Sequence, residues 1–367
     1  MERFAFIIHA MDVRSDVAKK YPIAAYFPER VVEEVISHVK PMIMSHLSGI
    51  VSETGIEAEG WFIGCPLSPN KLLNSDPEKV VNVLTQCASL AENLGAKIVG
   101  LGALTAVAGD AGITLAQRAN ISVTTGNSYT VATAVEGAVL GASLMGVSIE
   151  EAHIAVVGAA GSIGRTCALL LAGQCRKMTL VGRDVTRLEA TAEEVRALCQ
   201  DVVISSNVTT ALKDADVVIT VTSAIDAIIM PTDLKAGSVI CDVARPRDVS
   251  VRVSKERPDV LVIEGGVVQV PGNMVCRKVN KLGQPTDVDF DFGFPKGAAY
   301  ACMSETMMLA LDQSYLPFTL GKTVSVGQAE QMSQLADKHG FRLSGFRSFE
   351  RAVTDTLIAS VRKAAGR

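Results

Sequence analysis

The chain has 367 residues, of which 48% are hydrophobic and 20% charged, with a formal net charge of −4. That length exceeds what one compact core serves and predicts two or three domains. No cluster of basic residues is present to hold a phosphate backbone, which excludes nucleic acid as a partner.

The N-terminal run Met-Glu-Arg-Phe-Ala-Phe-Ile-Ile-His places charges before its apolar residues, unlike a secretory signal, so the chain is expected in the cytoplasm. Residues 4–8 read as a strand. Apolar spacing from Glu29 predicts a helix through about Leu47, and Gly60 to Gly64 predicts a second strand, broken by Pro66, Pro69 and Asn70. From Asp76 and Pro77 a helix runs to Leu94 and stops at Gly95, with a capping Asp, a first-turn Pro and a terminal Gly. Lys97 to Leu101 is the next strand. Strands alternating with helices describe a first α/β domain over 1–127, expected to hold the substrate.

That domain closes on Ile121-Ser122-Val123-Thr124-Thr125-Gly126-Asn127, an apolar strand with small polar groups at its carboxyl end, where open α/β sheets bind ligands. Thr125 and Asn127 are therefore candidate cleft residues. Asn127 or Ser128 would equally serve as a helix cap. Residues 128–149 carry one formal charge, Glu136, and are long enough to span a bilayer. Their Thr, Ser and Gly content instead predicts a helix buried beneath the next domain, leaving peripheral contact with a membrane open.

A short β-branched run, Ile154 to Val157, then meets glycines spaced three apart, Gly158, Gly161 and Gly164, and an apolar helical stretch follows at once. Strand, tight turn and helix in that order suit a dinucleotide. Glycine lets the backbone approach a pyrophosphate, and the N–H groups at a helix start attract its charge. The candidate cofactor residues of the turn are Gly158, Ala160, Gly161, Ser162, Ile163 and Gly164.

The next strand, Met178 to Val181, ends in Gly182-Arg183-Asp184, with Arg187 one turn on. An acid about 20 residues past the glycines would grip an NAD ribose. Here glycine and arginine stand instead, and Arg183 with Arg187 suits a 2′-phosphate, so the expected cofactor is NADPH. The alternative is that both are solvated surface charges. Strands at 201–205, 215–221, 238–243 and 261–264 complete a parallel sheet of Rossmann type over 128–280. Thr222, Ser223 and Ala224, after one of these strands, are expected walls on the nicotinamide side, and Gly265 and Gly266 permit close approach of a ligand.

Residues 277–289 read as a polar linker, and 281–367 as a helical C-terminal region, with helices from Ala298 to about Leu311, Gln328 to His339 and Ser348 to Lys363. Eight cysteines, Cys65, Cys87, Cys167, Cys175, Cys199, Cys241, Cys276 and Cys302, lie scattered without CxxC spacing, and no acidic cluster marks a metal, so neither a disulfide framework nor a metal site is expected. Cys302 stands in the first turns of its helix beside Lys296, where a thiolate and hence a nucleophile is favoured. The alternative is a small core residue.

Four motifs in order, Thr-Thr-Gly-Asn at 124–127, Gly-Ala-Ala-Gly-Ser-Ile-Gly at 158–164, Ala-Cys-Met-Ser-Glu at 301–305 and Lys-His-Gly-Phe at 338–341, resemble the aldehyde-forming long-chain acyl-(acyl-carrier-protein) reductases. The chain departs from that family's Ala-Cys-Phe-Ala-Glu at Met303 and Ser304. The resemblance implies that Cys302 takes an acyl group from acyl-ACP or acyl-CoA and that NADPH reduces it to a fatty aldehyde, with an acyl carrier protein as partner. Two other readings stay open. One is an oxidoreductase similar to shikimate dehydrogenase acting directly on a hydroxy or keto acid, although that family's lysine motif is not found in the first domain. The other is a non-catalytic NADP-sensing protein.

Overall fold

In a computed structural model the protein is described over residues 1–224, 226–280 and 283–367. The chain folds into two compact units: residues 1–126, 269–322 and 334–342 make the first, and 127–268, 323–333 and 343–367 the second. The helices in chain order are α1 (Val13–Lys20), α2 (Glu29–Ser37), α3 (Pro69–Asn74), α4 (Pro77–Asn93), α5 (Ile113–Arg118), α6 (Asn127–Leu144), α7 (Ser162–Ala172), α8 (Val185–Arg196), α9 (Val208–Leu212), α10 (Val253–Glu256), α11 (Ala301–Leu311), α12 (Val326–His339) and α13 (Asp355–Ala364).

Strands β1 (Glu2–His9), β2 (Met42–Val51), β3 (Glu57–Cys65), β4 (Ile98–Leu101) and β5 (Ser122–Thr124) belong to the first unit. The second holds β6 (His153–Val157), β7 (Lys177–Val181), β8 (Asp201–Ser205), β9 (Val217–Thr220), β10 (Val239–Asp242) and β11 (Leu261–Glu264). Later strands are β12 (Val267–Gln269), β13 (Gly272–Val279), β14 (Pro285–Asp289), β15 (Ala298–Tyr300), β16 (Arg342–Leu343), β17 (Arg347–Ser348) and β18 (Arg351–Ala352).

The sheet of the first unit runs β14-β13-β2-β3-β1-β4-β5. Its β3, β1, β4 and β5 are parallel, and its β2, β13 and β14 join antiparallel. Burial follows the difference. The parallel β4 is buried at all four residues, whereas the edge strand β14 is largely exposed and can be polar on both faces. Helix α4 covers the sheet through Val80, Leu84, Cys87 and Ala91, in one core with Ile63, Val99, Leu101 and Val123. Asp76 caps this helix by accepting from the Glu78 N–H, with Pro77 at the first position.

The second unit carries a fully parallel sheet, β11-β10-β9-β6-β7-β8, with α6, α7 and α8 packed on it around Ile154, Val156, Leu171, Leu180, Val217 and Ile263. The order reverses between β6 and β9, the crevice where sheets of this kind bind dinucleotides at their carboxyl ends. The fold class is thus α/β with a Rossmann-type unit.

Several local expectations change. The helix expected from Glu29 to Leu47 ends at Ser37 and the chain re-forms as β2, because Pro41 cannot continue a helix. The polar run 277–289 is not a linker. It holds the end of β13 and all of β14, whose polarity reflects an edge strand facing water. Ala298 to Tyr300 is a strand, so the following helix begins at Ala301. The last expected helix starts late, since β17 and β18 form a hairpin and Thr354 caps α13 by accepting from the Leu357 N–H. Of residues 128–149 only those up to Leu144 are helical, as part of α6, and no helix among the described residues is long and apolar enough to cross a membrane.

Candidate functional site

The glycine turn of the second unit is built as a phosphate cradle requires. Gly158 has φ +90°, and a Cβ on it would stand 2.5 Å from the Val221 carbonyl oxygen. A Cβ on Gly164 would stand 2.4 Å from the Gly158 carbonyl oxygen, so the first turn of α7 rests directly on the peptide of the turn. The helix enters at Gly161 with no side-chain cap. Its first N–H groups therefore point toward the turn without a side-chain acceptor, the arrangement that receives an anion. Ala160 and Ile163 pack partly into the core under the sheet, and Ser162 opens the helix. These residues fit a dinucleotide pyrophosphate.

Arg183 and Arg187 are exposed just beyond β7. Among the described residues neither has an ion-pair partner. Asp184 is the N-cap of α8 and accepts from the Arg187 N–H, which explains an acid there without a ribose. After β9, Thr222 is tied down. Its hydroxyl and N–H both donate to the Asp248 carboxylate, at 2.5 and 2.9 Å, and its Oγ1 accepts from the Ala224 N–H. Ser223 between them is exposed. Gly265 follows β11, where a Cβ would stand 2.7 Å from Val243 Cγ2 and 2.9 Å from Cys241 Sγ, and Gly266 has φ +76°.

Buried acids at the carboxyl ends of these strands carried no sequence signal beyond their type. Thr220, Asp242 and Glu264 stand in register on β9, β10 and β11. Asp248 is fully buried and accepts from Thr220 and Thr222. Asp242 accepts the N–H groups of Ala244 and Val249, while burial, opposed by Arg245, pushes its carboxyl up to about 6.

In the first unit Cys302 is the second residue of α11, nearer the helix start than expected. Tyr300 precedes the helix without a side-chain cap. Cys302 is half-buried, and its backbone lies against Gly126, where a Cβ would fall 2.3 Å from the Cys302 Cβ. Thr124 donates to Glu305 at 2.5 Å and accepts from the Gly126 N–H at 3.3 Å, so the 124–126 turn and the first turns of α11 are bonded together. Thr125 is buried and donates to the Thr319 carbonyl. Asn127 belongs to the second unit, in the first turn of α6. Lys296, expected to act on the cysteine, is 87% exposed and stands 3.8 Å from Asp289.

The remaining thiols contrast with Cys302. Six are buried, and Cys175 alone shares its intermediate exposure. Burial pushes Cys167 and Cys175 up to about 12, Cys276 to about 11 and Cys241 higher still. Those thiols stay protonated near neutral pH. Among the described residues no three His, Cys, Asp or Glu side chains gather to hold a metal.

Residues 140–264 match the model of the shikimate/quinate 5-dehydrogenase family. A protein of a Serratia species named aminotransferase PigE is 28% identical over 320 residues, covering 86% of this chain; the chain spans 36% of that relative's length. The long-chain acyl-[acyl-carrier-protein] reductase of Synechococcus elongatus is 24% identical over 353 residues, covering 92% of this chain and 98% of the relative. Among solved structures, the A chain of Bacillus subtilis dipicolinate synthase aligns with a TM-score of 0.35 at 16% identity, over 71% of this chain and 87% of that one. L-Tryptophan dehydrogenase from Nostoc punctiforme aligns with a TM-score of 0.36 at 13% identity, over 71% and 69%. Scores of this size say nothing of substrate. The family match lies on the Rossmann unit, and the chain carries an NAD(P)-binding domain of the oxidoreductase kind.

Proposed function

We propose that the protein is an NADPH-dependent reductase that converts a fatty acyl thioester, acyl-ACP or acyl-CoA, to an aldehyde through an acyl group carried on Cys302. The observation that carries this reading is the seat of Cys302: a half-exposed thiol at the second position of an uncapped helix, held against Gly126. A helix start favours negative charge, and the thiolate is the attacking form. The ordered likeness to the Synechococcus elongatus reductase over nearly the whole chain adds support.

The Cys302 thiolate attacks the thioester carbonyl carbon, its new C–S bond forms as the donor's C–S bond breaks, and the donor leaves as a thiolate that takes a proton from water. With the acyl group on Cys302, the N–H groups of the first turn of α11 would supply the helix-start field that stabilises charge gathering on the carbonyl oxygen. The turn at 158–164 would hold the pyrophosphate and Arg183 with Arg187 the 2′-phosphate. When bound, the reduced nicotinamide supplies a hydride. Cys302 is then released as thiolate with the aldehyde. The test is intact-protein mass after incubation with an acyl donor and no reductant: an adduct on wild type and none on Cys302→Ser is expected. A Cys302→Ser protein that still forms aldehyde would end this reading.

A further inference from the structure

The C-terminal hairpin of the second unit turns on Phe349 and Glu350, between β17 and β18. Both have left-handed backbones, φ +47° and +67°. Two-residue hairpins ask for this conformation at both positions and usually place Asn and Gly there. A phenylalanine and a glutamate held so are strained, and strain persists only where surrounding contacts impose it.

Those contacts converge on Glu264, at the carboxyl end of β11. Its carboxylate is 5% exposed. It accepts from the Glu350 N–H at 2.6 Å and from Arg247 Nη2 at 3.3 Å. Arg245 Nη2 and Arg347 Nε stand 3.7 and 3.9 Å from its other oxygen. Arg247 also pairs with the Glu350 carboxylate at 2.9 Å and lies over the Phe349 ring, while Arg347 donates to the Glu350 carbonyl. One buried acid thus clamps both strained residues to the sheet.

The clamp is continuous with the loop after β9. Arg245 donates to the backbone carbonyl of Asp242, the Asp242 carboxylate takes the Asp248 and Val249 N–H groups, and the Asp248 carboxylate holds Thr220 and Thr222. A single polar network therefore runs along the carboxyl edge of β9, β10 and β11, from Thr222 at one end to the hairpin tip at the other. In open parallel sheets that edge, past the switch point, receives the nicotinamide half of a dinucleotide.

We propose that Glu264 is a positioning residue for the cofactor: by pinning the Phe349–Glu350 tip it fixes the wall beside the nicotinamide half, and it does so without touching the phosphates. This rests on reading the unit as a dinucleotide site. The experiment titrates the full-length protein with NADPH and with 2′-phospho-ADP-ribose, which lacks the nicotinamide ring, following bound cofactor by fluorescence and calorimetry. Glu264→Gln is expected to weaken NADPH about tenfold while the fragment changes less than about twofold. A second variant, Phe349→Asn with Glu350→Gly, suits the left-handed tip and removes the Phe349 ring and Glu350 carboxylate that Arg247 holds, stripping the wall of its side chains while Glu264 keeps Arg247 and the residue-350 N–H. It should melt no lower than wild type and show the same selective loss. Equal weakening of both ligands, or a stable tip variant that binds NADPH as wild type does, overturns the proposal. Wild-type protein that binds neither NADPH nor NADH overturns the dinucleotide reading itself.

Discussion

Gly126 and Cys302 meet backbone to backbone: a side chain on Gly126 would put its Cβ 2.3 Å from the Cys302 Cβ and 2.7 Å from its carbonyl oxygen. No rotamer change relieves an overlap with main chain, so α11 can begin here only because residue 126 is glycine. Gly126 also has φ +74°, which an L side chain resists.

Gly126→Ala therefore combines left-handed strain with overpacking, and should cost about 2 to 5 kcal/mol. Thermal denaturation measures the loss. Wherever the variant still folds, acylation of Cys302 by a thioester donor should be slowed by at least about tenfold, read by intact mass over time. Unchanged stability would mean that the contact does not exist in solution.

Thiol alkylation should single out Cys302. With iodoacetamide at pH 8, peptide mapping is expected to find Cys302 modified first, and Cys167, Cys241 and Cys276 only after unfolding. Cys175 is the control for exposure. It is as accessible in class as Cys302, yet burial and the neighbouring Cys199 raise it to about 12, so it should react slowly. Equal rates at the two sites would remove the case for a special cysteine.

Arg183 and Arg187 are exposed and near the end of β7, and each would add charge-assisted bonds to a 2′-phosphate. Replacing Arg183 by Gln should raise the NADPH dissociation constant about 10- to 100-fold, with little change for NADH. Arg187→Gln should act in the same direction. Loss of both cofactors alike would show that these arginines are not reading the phosphate.

Asp242 gives the second unit a pH signature. Its carboxyl is held up at about 6 in the folded chain, against 3.8 ordinarily, because it is buried. Between those values the folded state keeps a proton that the unfolded chain has released, so this group's contribution to stability falls as pH rises from about 4 to about 6 and is level above. The change is about 3 kcal/mol. Melting curves across that range should show the decline in wild type and its absence in Asp242→Asn; identical slopes would place the titration elsewhere.

Much of the Rossmann unit was readable in one dimension because its signals are local. An apolar run of four residues, glycines at fixed spacing and a helix that starts at once all lie within Ile154 to Ala172, and each acts through neighbours along the chain. The helix at Pro77–Asn93 was equally plain, since its cap, its proline and its stop sit at its own ends. Where pairing partners lie far apart, local patterns misled. Residues 277–289 look like linker because an edge strand is wetted on both faces, and only pairing of β13 with β2 and β14 makes them sheet. Met42 to Leu47 continues a helical spacing until Pro41 is weighed and β3 supplies a ladder.

By itself, then, the sequence determined a parallel α/β unit with a glycine turn suited to a dinucleotide, an arginine where a ribose acid is expected, and a cysteine early in a helix. Only the tertiary structure decided that Cys302 rests on Gly126, that Lys296 is exposed beside Asp289, and that Glu264 gathers Arg245, Arg247, Arg347 and a strained hairpin tip. The reason is the range of the forces involved. Propensity and periodicity are properties of a short window, whereas steric fit between backbones and the pairing of a buried charge depend on which distant residues the completed fold brings within a few ångströms.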